Sequence, residues 1–244
     1  MNDFYVLICG GHGSSTAGKC SPIINFEIPT GYPMNTSNEV KTGTSIIGSR
    51  FREWRFNRRL VNIAGSLLKE NGFNVINIVP EDTDIPLSTR VKRINKYCEK
   101  YGAGNCILVS IHVNAAGNGG WYNARGWSIW TTRKQNNSDK LATEIWNVAN
   151  EVFNADEELV KSFNKPEYKK YKPVLSQYAG DSDPDYEADF YIIKGANCPA
   201  VLIENGFQDN KDDVKYLESA QGFCNCAKVI AEGVESYYNK YKKK

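Results

Sequence analysis

Five successive stretches of this chain alternate between short apolar runs and longer segments of helical period, and that alternation admits few folds. Phe4 to Cys9 is a continuous apolar run. Arg52 to about Glu70 carries Leu60, Ala64, Leu67 and Leu68 on one helical stripe and stops at Asn71-Gly72. Phe73 to Val79 is a second run. Leu87, Val91, Ile94 and Tyr97-Cys98 mark a second helix that ends near Gly102, and Ile107 to Val113 is a third run. Strand, helix, strand, helix, strand is the signature of a mostly parallel α/β sheet. Later segments extend it. Gly126 to Thr132 reads as a strand, and Ser138 to about Phe153 as a helix with Leu141, Ile145, Val148 and Val152 inward. Asp189 to Ile193 and Ala200 to Ile203 read as the last strands, and residues 212–240 as closing helices striped by Ala227, Ile230, Val234 and Tyr237. The expectation is an α/β fold in a single domain over residues 1–244: a mostly parallel, mixed, twisted sheet with helices on both faces.

Two segments interrupt the pattern. Residues 19–49 are rich in Gly, Pro, Asn, Ser and Thr without a helical period. They predict either a functional loop or a short hairpin packed on the sheet edge. Residues 155–187 are polar, dense in Tyr and Lys, and include Asp181, Asp183 and Asp185. They read as a solvated excursion with one short helix, or as a groove wall for a polar polymer.

The chain has only two histidines, and each follows one of the apolar runs: His12 in Gly10-Gly11-His12-Gly13, and His112 in Ser110-Ile111-His112-Val113-Asn114. Ligands of open α/β sheets gather at the carboxyl ends of the strands, so two imidazoles delivered there suggest a metal. Stepping back by helical spacing from Leu60 gives Phe56, Asn57 and then Glu53, at the first turn of the helix yet on its inward stripe. A first-turn glutamate ordinarily just favours the helix dipole, but an inward carboxylate needs a partner, and a cation supplies one. Glu204 follows Ala200 to Ile203 and by itself could be a surface acid. Together His12, His112 and Glu53 make the two-histidine, one-carboxylate set of a catalytic zinc site with a fourth position for water. Glu204 is then the second carboxylate that moves the proton of that water.

Composition removes several alternatives. Lys and Arg total 30 against 28 Asp and Glu, a net charge of +2, without the basic stripe of a nucleic-acid binder; no nucleic-acid partner is expected. The closing run Lys240 to Lys244 reads as a solvated tail. Gly13 to Lys19 spells GxxxxGK after a strand, but Cys20 and Pro22 follow where a phosphate-cradling helix would have to open. Met1-Asn2-Asp3 has no basic region and the apolar run behind it is short, so neither a signal peptide nor stable membrane association is expected. Seven cysteines without a framework spacing read as reduced thiols in a chain made in the cytoplasm. Cys9 or Cys20 with a histidine would be the elements of a competing cysteine amidase.

The segments Gly10-Gly11-His12-Gly13, Glu53-Trp54-Arg55-Phe56-Asn57, Val109 to Ala115 and Glu204-Asn205-Gly206-Phe207-Gln208-Asp209-Asn210 occur in the order seen in zinc-dependent N-acetylmuramoyl-L-alanine amidases. The resemblance extends through the Asp82-Thr83-Asp84 turn and the helix containing Arg90, and so covers nearly the whole chain. It departs at Cys9-Gly10, where an acidic residue and Pro are usual, and in the length between His12 and Glu53. It implies one zinc ion per chain held by His12, Glu53 and His112, with Glu204 as general base. The implied reaction cleaves the amide between N-acetylmuramic acid and L-alanine of the stem peptide. Thr16 to Pro22 resembles a subgroup common in phages and some bacteria. The expectation is therefore a monomeric phage or prophage endolysin that meets peptidoglycan after release through a holin, with no separate wall-binding domain. A bacterial wall-remodelling amidase and a non-catalytic muropeptide-binding protein of the same fold are the alternatives.

Overall fold

The computed structural model describes residues 3–28, 47–133, 135–177 and 182–243. The middle of the 19–49 insertion and Asp181 lie outside the described residues. The elements are β1 (Tyr5–Gly10), α1 (Glu53–Glu70), β2 (Asn74–Asn77), α2 (Leu87–Tyr101), β3 (Cys106–Asn114), β4 (Trp127–Thr131), α3 (Asn137–Ala155), α4 (Glu157–Ser162), β5 (Tyr186–Glu187), α5 (Tyr191–Lys194), β6 (Ala200–Phe207), α6 (Lys211–Leu217) and α7 (Ala220–Tyr241).

Six strands form one mixed sheet in the order β2-β1-β3-β6-β4-β5, parallel throughout except where β4 runs against β6. Alternation along the strands divides the interior in two. Val6, Ile8, Ile107, Val109, Ile111, Val201 and Ile203 face a core closed by α1, α3 and α7. Leu7, Cys9, Leu108 and Leu202 face a smaller core closed by α2 and α5. A central strand buried on both faces has no polar side to show, and hence reads as an unbroken apolar run.

One expected strand is a helix. Residues Asp189 to Ile193 do not extend the sheet; Tyr191 opens α5 instead. Ile192 and Ile193 are both buried in the smaller core. A strand would send these two neighbours to opposite faces, whereas a helical turn buries both in the core between α2 and the sheet. The edge strand beside β4 is the two-residue β5. The polar segment after α3 forms α4, a 3₁₀ turn at Pro166–Tyr168 and then β5. Residues 13–20 run as turns with no helix opening behind Gly13, so the phosphate-loop spelling has no phosphate-loop conformation.

Candidate metal centre and active site

β1 and β3 lie side by side and in parallel, with Gly10 paired to Ile111. The chain after β1 and the end of β3 therefore emerge at the same edge of the sheet. His112 and Glu204 are paired across β3 and β6, so their side chains leave the same face of adjacent strands. Both residues are inside their strands rather than past the ends, because β3 and β6 run on to Asn114 and Phe207. Between His112–Glu204 and Asn114–Phe207 the register slips by one residue. The extra residue on β6 is accommodated at Gly206, with φ +96°, a conformation that L side chains rarely adopt.

α1 carries the third group. Its first residue, Glu53, is 1% exposed, as the helical spacing back from Leu60 requires. Its Oε1 lies 3.1 Å from His112 Nδ1 and 3.4 Å from His12 Nε2, and accepts from the Val113 amide at 3.1 Å. The Asn57 amide donates to it at 3.5 Å and to the Gly11 carbonyl at 3.3 Å. The imidazoles stand perpendicular, centroids 5.2 Å apart. One ligand atom from each of His12, Glu53 and His112 falls within 4.8 Å of the others.

Two atoms make this cluster incomplete as a set of protein groups. Glu53 Oε2 and Glu204 Oε2 are buried without a hydrogen-bond partner, an arrangement that costs free energy unless something compensates it. Burial pushes the Glu53 carboxyl up, but the hydrogen bond and charge of His112, the charge of His12 and the Val113 amide outweigh burial and leave it below the usual range. Burial lowers His12 to about 4 against the opposing pull of Glu53, so its imidazole is neutral at neutral pH, the form that ligates. Burial, then the negative charge of Glu53, push Glu204 well above the ordinary carboxylate range. Two imidazole nitrogens and a carboxylate with spare oxygen suit a borderline divalent cation such as zinc.

The turn that presents His12 is held by two arginines that the motifs did not single out for a role. Arg58 Nη1 donates to the Gly10 carbonyl at 2.6 Å and Nη2 to the His12 carbonyl at 2.7 Å. Arg90 reaches the same two carbonyls at 2.9 and 3.1 Å, and pairs with Asp84 at 3.0 Å. Both side chains are buried. His12 sits at φ +59°, uncommon outside glycine, and the paired guanidinium groups fix the carbonyls on either side of it. Gly11 leaves room for the His112 ring: a Cβ there would stand 2.2 Å from His112 Cε1. Asn205, from β6, donates to the His112 carbonyl at 3.1 Å. Asp209 accepts from the amides of Ala116 and Gly117, at 2.8 and 3.0 Å, and Asn210 donates to the Tyr122 carbonyl at 2.9 Å, which ties the loop after β3 to the end of β6. A groove lined by His12, Asp84, Ile85, Pro86, Leu87, Arg90 and His112 opens beside the cluster. Cys9 is fully buried and burial raises its thiol, the opposite of an activated nucleophile.

The family model of the N-acetylmuramoyl-L-alanine amidases matches residues 6–236. The chain belongs to that family. Among curated relatives it is similar to the N-acetylmuramoyl-L-alanine amidase AmiA of Escherichia coli, 26% identical over 197 residues, which are 71% of this chain and 64% of AmiA. The chain thus spans somewhat under two thirds of that relative's length. In fold it is similar to the amidase AmiC2 of Nostoc punctiforme, with a TM-score of 0.65 at 18% identity, covering 97% of this chain and 98% of the other. It is also similar to the catalytic domain of the amidase CwlV from Bacillus (Paenibacillus) polymyxa var. colistinus, with a TM-score of 0.63 at 21% identity and coverage of 97% and 98%. These likenesses agree with the family, and with the mixed sheet between two helical layers.

Proposed function

We propose that this chain is a zinc-dependent amidase of peptidoglycan, cleaving the bond between the lactyl group of N-acetylmuramic acid and L-alanine of the stem peptide. The observation that carries this reading is the buried Glu53 carboxylate facing both histidines of the chain with one oxygen unpaired. His12, Glu53 and His112 would hold the ion, which when bound polarises the scissile carbonyl and brings the pKa of its water toward about 7. Glu204, paired beside His112 on the neighbouring strand, takes the proton of the attacking water and returns it to the leaving amine; a cation held at the cluster would keep its carboxyl ionised against the burial and the Glu53 charge that raise it. The C–N bond breaks, leaving a muramyl carboxylate and a free L-alanine amino group. The half-open groove past Ile85, Pro86 and Leu87 gives the substrate an apolar wall on one side of the cluster.

Metal analysis of purified protein, alongside mass spectrometry of digested peptidoglycan, tests the assignment. The expected result is one zinc per chain and new L-alanine amino ends, both lost on chelation. Activity that survives chelators and dies on thiol alkylation would convert the reading to a cysteine amidase. Muropeptide binding without new amino ends would leave only a binding protein. A lytic role is the finer reading, supported by the resemblance of Thr16 to Pro22 to a subgroup common in phages and some bacteria. Expression together with a holin should then clear a culture, and failure to do so would favour wall remodelling. Among the described residues no helix is long and apolar enough to cross a membrane.

A further inference from the structure

A second set of metal-ligating side chains lies away from the histidines. Asp139, Asp183 and Asp185 bring one carboxylate oxygen each to within 4.8 Å of one another. Asp139 belongs to the first turn of α3, and Asp183 and Asp185 lead into β5. Register places the cluster far from the histidines: Ser128 of β4 lies opposite Glu204, and Thr131, which contacts the cluster, is three residues further along the antiparallel strand. That separation is about 10 Å along the strand.

Acidic clusters are common, but two of these three side chains are buried and the set is incompletely satisfied. Asp185 is 2% exposed and Asp139 4%. Thr131 Oγ1 lies 2.6 Å from Asp185 Oδ2 and 3.4 Å from Asp139 Oδ1, and its single proton can serve only one of them. Gln135 Nε2 donates to Asp183 Oδ2 at 2.7 Å, and the Asn136 amide donates to Asp139. Asp185 Oδ1 and Asp183 Oδ1 are buried and have no donor. Among the described residues no lysine or arginine forms an ion pair with any of the three carboxylates. Burial, followed by the neighbouring charges of Asp183 and Asp139, pushes Asp185 up to about 7 against the Thr131 hydrogen bond. Three carboxylates this close, two of them with a bare oxygen, have no ion-pair partner among the described residues.

We propose that Asp139, Asp183 and Asp185 form a second metal site, for a hard divalent cation of the calcium type, which fastens the edge strand β5 to β4 and to the start of α3. All donors are oxygens, the class that calcium and magnesium select over zinc. Calcium suits this irregular set better, because it accepts six to eight oxygens in flexible geometry, mono- or bidentate, with water completing the shell. The role is structural: the ion would add to the short β4–β5 ladder and the Trp130–Tyr186 contact that hold this two-residue edge strand.

Terbium, which takes calcium's oxygen ligands, is the probe. The Trp130 ring packs on Tyr186 at 4.8 Å, one residue from both Thr131 and Asp185, close enough to sensitise a bound ion. Zinc-loaded protein, excited at tryptophan, should give saturable terbium emission at one ion per chain that calcium displaces. Calcium at a hundredfold excess over its Kd should raise Tm by roughly 5 to 10 °C. Asp183→Asn, the gentler change because an amide oxygen still accepts from Gln135, should weaken terbium binding at least tenfold. Asp185→Asn should do the same, while His12→Ala should leave the emission unchanged. Wild-type protein with no calcium-displaceable emission and no calcium shift in Tm would overturn the proposal, and the acids would then be a pair sharing a proton. Emission that persists in both Asp variants would overturn it too, since the ion would be bound elsewhere. None of these outcomes depends on whether the histidine cluster hydrolyses peptidoglycan.

Discussion

Glu53 and Glu204 are both carboxylates in one buried site, yet their environments assign them opposite work. Glu53 is surrounded by donors and stays ionised; Glu204 has no donor on its buried Oε2 and, in the absence of a cation, is pushed toward the protonated form. Glu204→Gln keeps shape and removes the proposed proton carrier. We expect zinc to be retained and turnover to fall about 10²- to 10⁴-fold, whereas His112→Ala should lose both metal and turnover. Metal content beside release of amino ends separates the two, and near wild-type cleavage by Glu204→Gln would mean another base. Gly11→Ala is predicted to resemble His112→Ala in its metal content although it alters no ligand, because its Cβ would fall on the imidazole. Arg90→Met would strip donors from the Gly10 and His12 carbonyls. Arg58 still donates to both carbonyls, so each loses one of two donors and Asp84 loses its partner, and the His12 turn should loosen. A lower zinc affinity, rather than a raised KM, is the expected readout.

Among the elements, α6 works as a knot. Asn210 caps it by accepting from the amides of Asp212 and Asp213. The Asp213 carboxylate accepts from Gly126, Phe207 and Arg125, each at 3.0 Å, tying the start of β4 to the end of β6. Arg125 is fully buried; it also reaches Ser162 at the end of α4 and lies 3.6 Å over the ring of Phe163. In this way the polar segment after α3 is moored beside the strand that carries Glu204. Asp213→Ala would leave Arg125 with Asp212, 3.8 Å away, as its remaining carboxylate, and would remove the acceptor of the Gly126 and Phe207 amides, each unpaired buried amide costing about 1–3 kcal/mol. Denaturant midpoints should show the loss, and a loss below about 1 kcal/mol would mean that these amides find other partners.

At the scale of the whole molecule, stability in metal-free buffer should depend on Asp185. Its folded-state carboxyl is raised to about 7, above the ordinary value of about 4 in an unfolded chain. The folded protein therefore holds a proton that the unfolded chain has released. The associated stability is fully present below about pH 4 and is lost as pH rises to about 7. Unfolding free energies measured between pH 5 and 8 should fall with pH in wild type, and this component of the slope should vanish in Asp185→Asn. Calcium should flatten it as well, by supplying positive charge in place of the proton. A slope unchanged by Asp185→Asn would place the titration on other groups.

Several features were open to reading without coordinates because they depend on neighbours in the chain or on a fixed repeat. Apolar runs such as Ile107 to Val113 announced buried strands, and the step of about 3.6 residues turned Glu53 inward from Leu60. Position in the chain also told which four residues stand out: two histidines at the same sheet edge, Glu53 and Glu204. What folding alone decided involves distances between segments that share no local signal. Arg58 and Arg90 look like ordinary helix-surface charges until the Gly10 and His12 carbonyls meet them. Ile192 and Ile193 became a helical turn because one core, between α2 and the sheet, takes both. Asp139 is 44 residues before Asp183, and nothing in either neighbourhood says that they touch. A local pattern sets conformation and facing, while burial and electrostatics at a site are sums over whichever segments the finished fold brings together.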